Sequence, residues 1–276
     1  MPFIEFKTIT KSLLGGLAIL AAVCSSQAVE IIGHRGASYD APENTLASFK
    51  LGWEQHADAV ELDIWLTKDG KIAVMHDGNT KRTAGVDKDL GEQTLAELRT
   101  LDAGSWKDPR WKGEKIPTLD EVLAAIPQGR KLVIEIKCGP EILPELERVV
   151  TASKRKPSEL VIISFKYDSV AEAKKRFPEI PAFLLVSFKQ NKITRAWSPT
   201  IEELIGKAKA AKIEGINVSF KGPLDAAAVR QVHAAGLKFL VWTVDDDAVA
   251  RKLADDGVDA ITTNRPGWLR NQLKSE

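Results

Sequence analysis

The sequence predicts an α/β protein of the (β/α)8 type, a TIM barrel with a small insertion after its second strand. Three observations carry that expectation. Short apolar runs alternate with amphipathic segments from Glu30 onward. Eight such runs can be counted, each but the last followed by a helix or a long connection, which is the pattern of a parallel sheet closed on itself. The chain has 276 residues, and the part after residue 28 is close to the ~250 residues typical of that barrel. A doubly wound open sheet is the rival, but it more often carries a Gly-rich dinucleotide turn after its first strand, and none is present.

The elements follow in order. Ile31-Ile32 is the first apolar run, and Asn44 or Thr45 can cap a helix through Ala47, Phe49, Leu51 and Trp53. Ala59–Trp65 and Lys71–Met75, joined at Lys68-Asp69-Gly70, read as a strand with a hairpin-like extension. Residues 77–116 have poor periodicity and many turn residues, with one short helix at Leu95–Leu98, and form the insertion; a long excursion of this kind suits a lid or binding loop. Thr118 and Glu121 make a capping box for a helix reaching Ala125. Strands then fall at Leu132–Ile136, Leu160–Ser164, Ala182–Val186, Gly215–Val218, Phe239–Thr243 and Ala260–Thr262. Between them lie helices at Glu141–Lys154, Tyr167–Phe177, Ile201–Ala211, Asp225–Ala235 and Asp246–Asp255, and Gly267–Leu273 closes the chain.

Residues 1–28 read as an export leader. Lys7 and Lys11 supply a positive start, Leu13–Val23 an apolar stretch too short to span a bilayer comfortably, and Ser26-Gln27-Ala28 a small-residue cleavage site. The bulky Val23 disfavours lipid attachment at Cys24. An exported, periplasmic protein with no stable membrane insertion after cleavage is expected. It would keep one cysteine, Cys138, and so neither an internal disulfide nor a thiolate metal site. Net charge is +1, and no basic run exceeds Lys154-Arg155-Lys156, so nucleic acid is not an expected partner. No obligate protein partner is evident, and a small anionic substrate is compatible with these totals.

Strand parity locates the chemistry. Residues two apart share a face, so Glu61 and Asp63 point one way and Val60, Leu62 and Ile64 the other. Glu135 and Lys137 separate from Leu132, Ile134 and Ile136 in the same manner. In a parallel barrel the apolar face covers the outer helices, which turns the acidic face inward. Three carboxylates crowded there need a cation, and oxygen-only ligands suit one divalent ion, Mg2+ or Ca2+. His34 and His76 each follow an apolar strand-like run and can serve as acid and base, while His56 and His233 read as ordinary helix residues. With Arg35 and Lys137 to neutralise an anion, this set describes phosphoryl transfer to water or to an internal hydroxyl.

These residues stand in motifs spread along the chain: Gly33-His34-Arg35-Gly36, Ala41-Pro42-Glu43-Asn44-Thr45, Glu61-Leu62-Asp63, Thr67-Lys68-Asp69-Gly70, His76-Asp77, Arg82-Thr83, Glu135-Ile136-Lys137, Trp242-Thr243-Val244 and Gly257-Val258-Asp259. In them the sequence resembles the glycerophosphodiester phosphodiesterases, over essentially the whole of residues 29–276. The resemblance implies a TIM barrel that hydrolyses glycerophosphodiesters to sn-glycerol 3-phosphate and an alcohol with a divalent cation. It implies metal ligands at Glu61, Asp63 and Glu135 with Glu43 at their edge, acid/base catalysis by His34 and His76, phosphate binding by Arg35 and Lys137, and a glycerol-lining role for Trp242. Rival readings are a phospholipase-D-type enzyme on lysophospholipids and a catalytically silent phosphodiester-binding barrel. Asn264, where the family often has Asp, and Ala84, where it often has Thr, are departures expected to lie outside the chemistry.

Overall fold

A computed structural model describes Met1 and residues 28–274. The expected leader, residues 1–28, therefore lies outside the described residues except at its two ends. Among the described residues eleven strands occur: β1 (Glu30–Gly33), β2 (Ala59–Leu66), β3 (Ile72–Val74), β4 (Lys131–Ile136), β5 (Leu160–Ser164), β6 (Ala182–Val186), β7 (Lys189–Gln190), β8 (Trp197–Ser198), β9 (Gly215–Ser219), β10 (Lys238–Trp242) and β11 (Ala260–Thr263). The helices are α1 (Leu46–Glu54), α2 (Lys81–Ala84), α3 (Leu95–Leu98), α4 (Leu119–Ala125), α5 (Leu143–Ser153), α6 (Tyr167–Arg176), α7 (Ile201–Ala211), α8 (Ala226–Ala234), α9 (Asp247–Asp255) and α10 (Pro266–Lys274). No described helix is long and apolar enough to cross a membrane.

The main sheet runs β1-β11-β10-β9-β6-β5-β4-β2 and closes through β1 with β2, all in parallel, so the eight expected strands form the expected barrel. The antiparallel β3 hangs on β2, with Leu66 opposite Ile72 and Ile64 opposite Val74. Parity divides the apolar residues into two cores, as the sequence requires. Val60, Leu62, Ile64, Leu132, Ile134 and Ile136 belong to the large core under the helices. Ile32, Val133, Ile163, Phe183, Leu185 and Leu240 form a separate plug inside the barrel.

Local chemistry explains the helix starts. Thr118 accepts from the Glu121 backbone while the Glu121 side chain accepts from the Thr118 backbone, and Thr94 with Glu97 and Thr200 with Glu203 repeat the box. Two departures from the sequence reading have physical causes. The segment expected as one helix from Glu141 begins as a 3-10 turn at Pro140–Ile142, because Pro144 has no N–H for the Pro140 carbonyl. The β7–β8 hairpin was unexpected, since strands of two residues carry no readable alternation; Phe188 edge-on to Trp197, with centroids 6.5 Å apart, packs its base.

Phe239 has no solvent exposure and belongs to the outer core, so Phe239→Ala should destabilise the fold by about 3–5 kcal/mol. Urea titration followed by circular dichroism measures this; a loss below about 1 kcal/mol would contradict the packing described.

Candidate active site

The site is built at the C-terminal end of the barrel, directly above the apolar plug. β2 and β4 run in register with Asp63 opposite Glu135 and Glu61 opposite Val133, so the inward carboxylates become neighbours. Glu61, Asp63 and Glu135 are 2%, 1% and 8% exposed, and ligand oxygens from all three lie within 4.8 Å of one another. Burial and mutual repulsion push Glu61 well above the usual carboxylate range and Glu135 up to about 7. Asp63 resists the same burial because Lys137 and Arg35 hold its carboxyl below its ordinary value.

Those two cations lie against different oxygens of Asp63. Lys137 Nζ is 2.8 Å from Glu135 Oε1 and 3.3 Å from Asp63 Oδ1. Arg35 donates its backbone N–H to Glu61 Oε2 at 2.9 Å, and its Nη1 to Glu43 at 2.9 Å. Its Nε lies 3.4 Å from Asp63 Oδ2, buried and without a hydrogen-bond partner. Arg35 achieves this at φ 54°, in a turn where a Cβ on Gly33 would lie 2.7 Å from the Gly36 carbonyl oxygen and one on Gly36 would strike Ser48. The two glycines are thus what lets the arginine turn back over the mouth.

Glu43 is engaged by two arginines. Besides Arg35 it receives Arg82 Nη1 at 2.9 Å and Nη2 at 2.7 Å. It lies outside the trio of mutually close carboxylates found among the described residues. Arg82, on α2 of the insertion, also donates to Asp77 from Nε at 2.6 Å, and this pairing holds the Asp77 carboxyl down at about 2. Asp77 Oδ1 in turn lies 2.7 Å from His76 Nδ1. One ionic chain therefore runs from His76 through Asp77, Arg82, Glu43 and Arg35 to Asp63.

The histidines arrive by different routes. His34 extends β1 and donates its backbone N–H to Thr263 at 2.8 Å. Its Nδ1 is 2.7 Å from Asn264 Oδ1, and burial beside Arg35 holds the imidazole down at about 4. The expectation that Asn264 stands apart from the chemistry is thereby corrected: residues 34 and 264 meet because β1 and β11 are adjacent. His76 follows β3, not a barrel strand, and is brought back toward the carboxylates because β3 runs antiparallel to β2, with Met75 donating to the Asp63 carbonyl at 3.0 Å. Both histidines act electrostatically on Asp63.

Sequence reasoning assigned no site role to Asn44, Asp77 and Arg82. Asn44, weighed above as a helix cap, leaves that task to Thr45 and adopts φ 57°. It then donates Nδ2 to Asp63 Oδ2 at 2.8 Å and accepts the Asp63 N–H at 3.2 Å, a two-point clamp. The signal was its place in Pro42-Glu43-Asn44-Thr45, since asparagine tolerates left-handed backbone. Trp242 ends β10, donates Nε1 to the Asn217 carbonyl at 3.1 Å, and meets the exposed Phe165 edge-on at 5.5 Å. These rings, from the ends of β5 and β10, form an aromatic pair at the mouth.

The model of the glycerophosphoryl diester phosphodiesterase family matches residues 34–268. A glycerophosphodiester phosphodiesterase of Caldanaerobacter subterraneus subsp. tengcongensis is 34% identical, over 88% of this chain and 97% of its own. One from Bacillus subtilis (strain 168) is 32% identical, over 88% and 86%. Among solved structures, a phosphodiesterase of Oleispira antarctica in complex with the product sn-glycerol-3-phosphate superposes with a TM-score of 0.80 at 32% identity, covering 90% of this chain and 98% of that one.

The raised carboxyls carry a stability signature. A carboxyl lifted from 4.5 to about 7 binds more protons folded than unfolded, so its contribution to stability is lost as pH rises through that interval. His34, lowered from 6.5 to about 4, acts with the opposite sign over nearly the same range, so wild type alone shows little slope from this pair. Relative to wild type, EDTA-treated Glu135→Gln should gain stability steadily from pH 4.5 to 7, by up to about 3 kcal/mol. Denaturation at several pH values checks this, and a difference independent of pH would refute the crowding described.

Proposed function

The chain belongs to the glycerophosphoryl diester phosphodiesterase family, and on that premise we propose that it hydrolyses glycerophosphodiesters to sn-glycerol 3-phosphate and an alcohol, using His34 and His76 as proton carriers. That it is a phosphoric diester hydrolase follows from the family. The finer reading is carried by one observation, the convergence of three buried carboxylates, Arg35 and Lys137 at one barrel mouth.

The acidic trio fits a metal ion. Its donors are all oxygens, two of its carboxyls are raised by crowding, and a buried arginine Nε beside it lacks a partner. Glu61, Asp63 and Glu135 would hold a single divalent cation, Mg2+ or Ca2+, with Asn44 fixing the angle of Asp63. Bound there, the ion supplies Lewis-acid stabilisation of charge on the phosphoryl oxygens.

Arg35 and Lys137, the two cations beside the carboxylates, bind the phosphate. One histidine takes the proton of the attacking oxygen as that oxygen bonds to phosphorus. The other gives a proton to the alcohol oxygen as its bond to phosphorus breaks. Attack by water gives sn-glycerol 3-phosphate directly, whereas attack by the substrate's own glycerol hydroxyl gives a cyclic phosphate that a water molecule then opens to sn-glycerol 3-phosphate. Trp242 lines the space for the glycerol carbons. The leader read in residues 1–28 directs the enzyme out of the cytoplasm, to the periplasm, where it meets small diesters.

His34→Ala and His76→Ala should each lower turnover of glycerophosphocholine by about 100-fold or more with melting behaviour intact. A coupled assay for released glycerol 3-phosphate reads this, and near-normal rates in both variants would sink the assignment. Exhaustive EDTA should stop turnover and Mg2+ or Ca2+ restore it; activity that survives chelation contradicts the metal. Faster turnover of lysophosphatidylcholine than of glycerophosphocholine would favour the lysophospholipid reading.

A further inference from the structure

Asp245 follows β10 by three residues and takes no part in metal, phosphate or proton chemistry as described so far. Its carboxylate nevertheless gathers three hydrogen bonds from the end of β11. Thr263 Oγ1 donates at 2.8 Å, the Asn264 backbone N–H at 2.9 Å, and the Asn264 side-chain Nδ2 at 2.5 Å. An ionised carboxylate only accepts, so Asn264 must turn its NH2 toward Asp245 and its carbonyl oxygen away. That oxygen then accepts from Ser38 Oγ at 2.8 Å and faces His34 Nδ1 at 2.7 Å. An amide oxygen also only accepts, which puts the imidazole hydrogen on Nδ1. In a neutral ring the lone pair is then left on Nε2.

We propose that Asp245 is a positioning residue which, through Asn264, locks His34 in its Nδ1–H tautomer and so makes His34 the proton acceptor of the catalytic pair. The inference rests on the reading of His34 as a proton carrier. His76 differs in the nature of its partner. Its Nδ1 faces the Asp77 carboxylate, whereas His34 Nδ1 faces the neutral Asn264 amide. The acceptor role of His34 thus rests on its tautomer, which leaves the Nε2 lone pair free to take a proton.

The device makes an unusual prediction for isosteric changes. In Asp245→Asn the Asn264 backbone N–H is a fixed donor and keeps the oxygen of the new amide facing it. The new NH2 then faces Asn264 and turns that side chain over. His34 Nδ1 meets an NH2 group and the hydrogen moves to Nε2. Exchanging both residues, Asp245→Asn with Asn264→Asp, restores an acceptor-only group against His34 with an amide donor behind it.

The test is 15N NMR of the histidine rings in the full-length protein at a pH where His34 is neutral, together with steady-state kinetics. Wild type should show Nδ1–H, Asp245→Asn should show Nε2–H, and the double exchange should return to Nδ1–H. In Asp245→Asn kcat should fall roughly 10- to 100-fold with KM little changed, and the double exchange should recover most of it. A merely structural role would move stability without moving the tautomer. An Nε2–H ring in wild type, or a tautomer and kcat that Asp245→Asn leaves unaltered, overturns the proposal. Activity retained in His34→Ala would instead defeat the functional reading, while the tautomer measurement would still report on Asp245.

Discussion

Three carboxylates forced into one barrel mouth are the constraint around which this site is arranged. They get there by strand alternation alone: the residues that seal β2 and β4 against the helices leave Glu61, Asp63 and Glu135 on the inner face. Inside, below the mouth, apolar side chains fill the barrel and keep out the water that would otherwise solvate those charges. Every cation nearby is placed in answer. Lys137 follows Glu135 by one pleat, so the strand that brings the acid also brings its counter-charge, and Arg35 is folded over from β1 by a turn that needs glycine on both sides.

The same crowding explains why the first loop and the insertion are tied together. Arg35 alone is shared between Glu43 and Asp63, and Glu43 is in turn held by Arg82 from the insertion. Because Arg82 also fixes Asp77 beside His76, an element that looks like a surface excursion sets the surroundings of that histidine. Charge-assisted pairs of this kind constrain geometry more than they add stability, which is what a site that must hold atoms in place requires.

Much of this was legible in the sequence. Eight apolar runs, their helices and the capping boxes are local features, and each follows from periodicity or from a side-chain oxygen within a few residues. The inward trio was legible because parity is a property of a single strand. What escaped depends on which distant residues meet. Asn264 looked remote because its contact with His34 spans 230 positions and exists only where the ends of the barrel join. Asn44 looked like a cap because capping is the local task of asparagine, while its clamp on Asp63 needs the neighbouring strand. Asp245 offered no signal: an acid after a strand is ordinary until three donors are seen to converge on it.

The joining of β1 to β11 has a consequence for the timing of synthesis. His34 is synthesised 230 residues before Asn264, the residue against its ring. A nascent polypeptide that has completed every element up to α9 has its carboxylates and both histidines, yet lacks the Asn264 side chain that faces the first imidazole. The barrel and the contact that orients this ring are therefore completed together, when β11 takes its place beside β1.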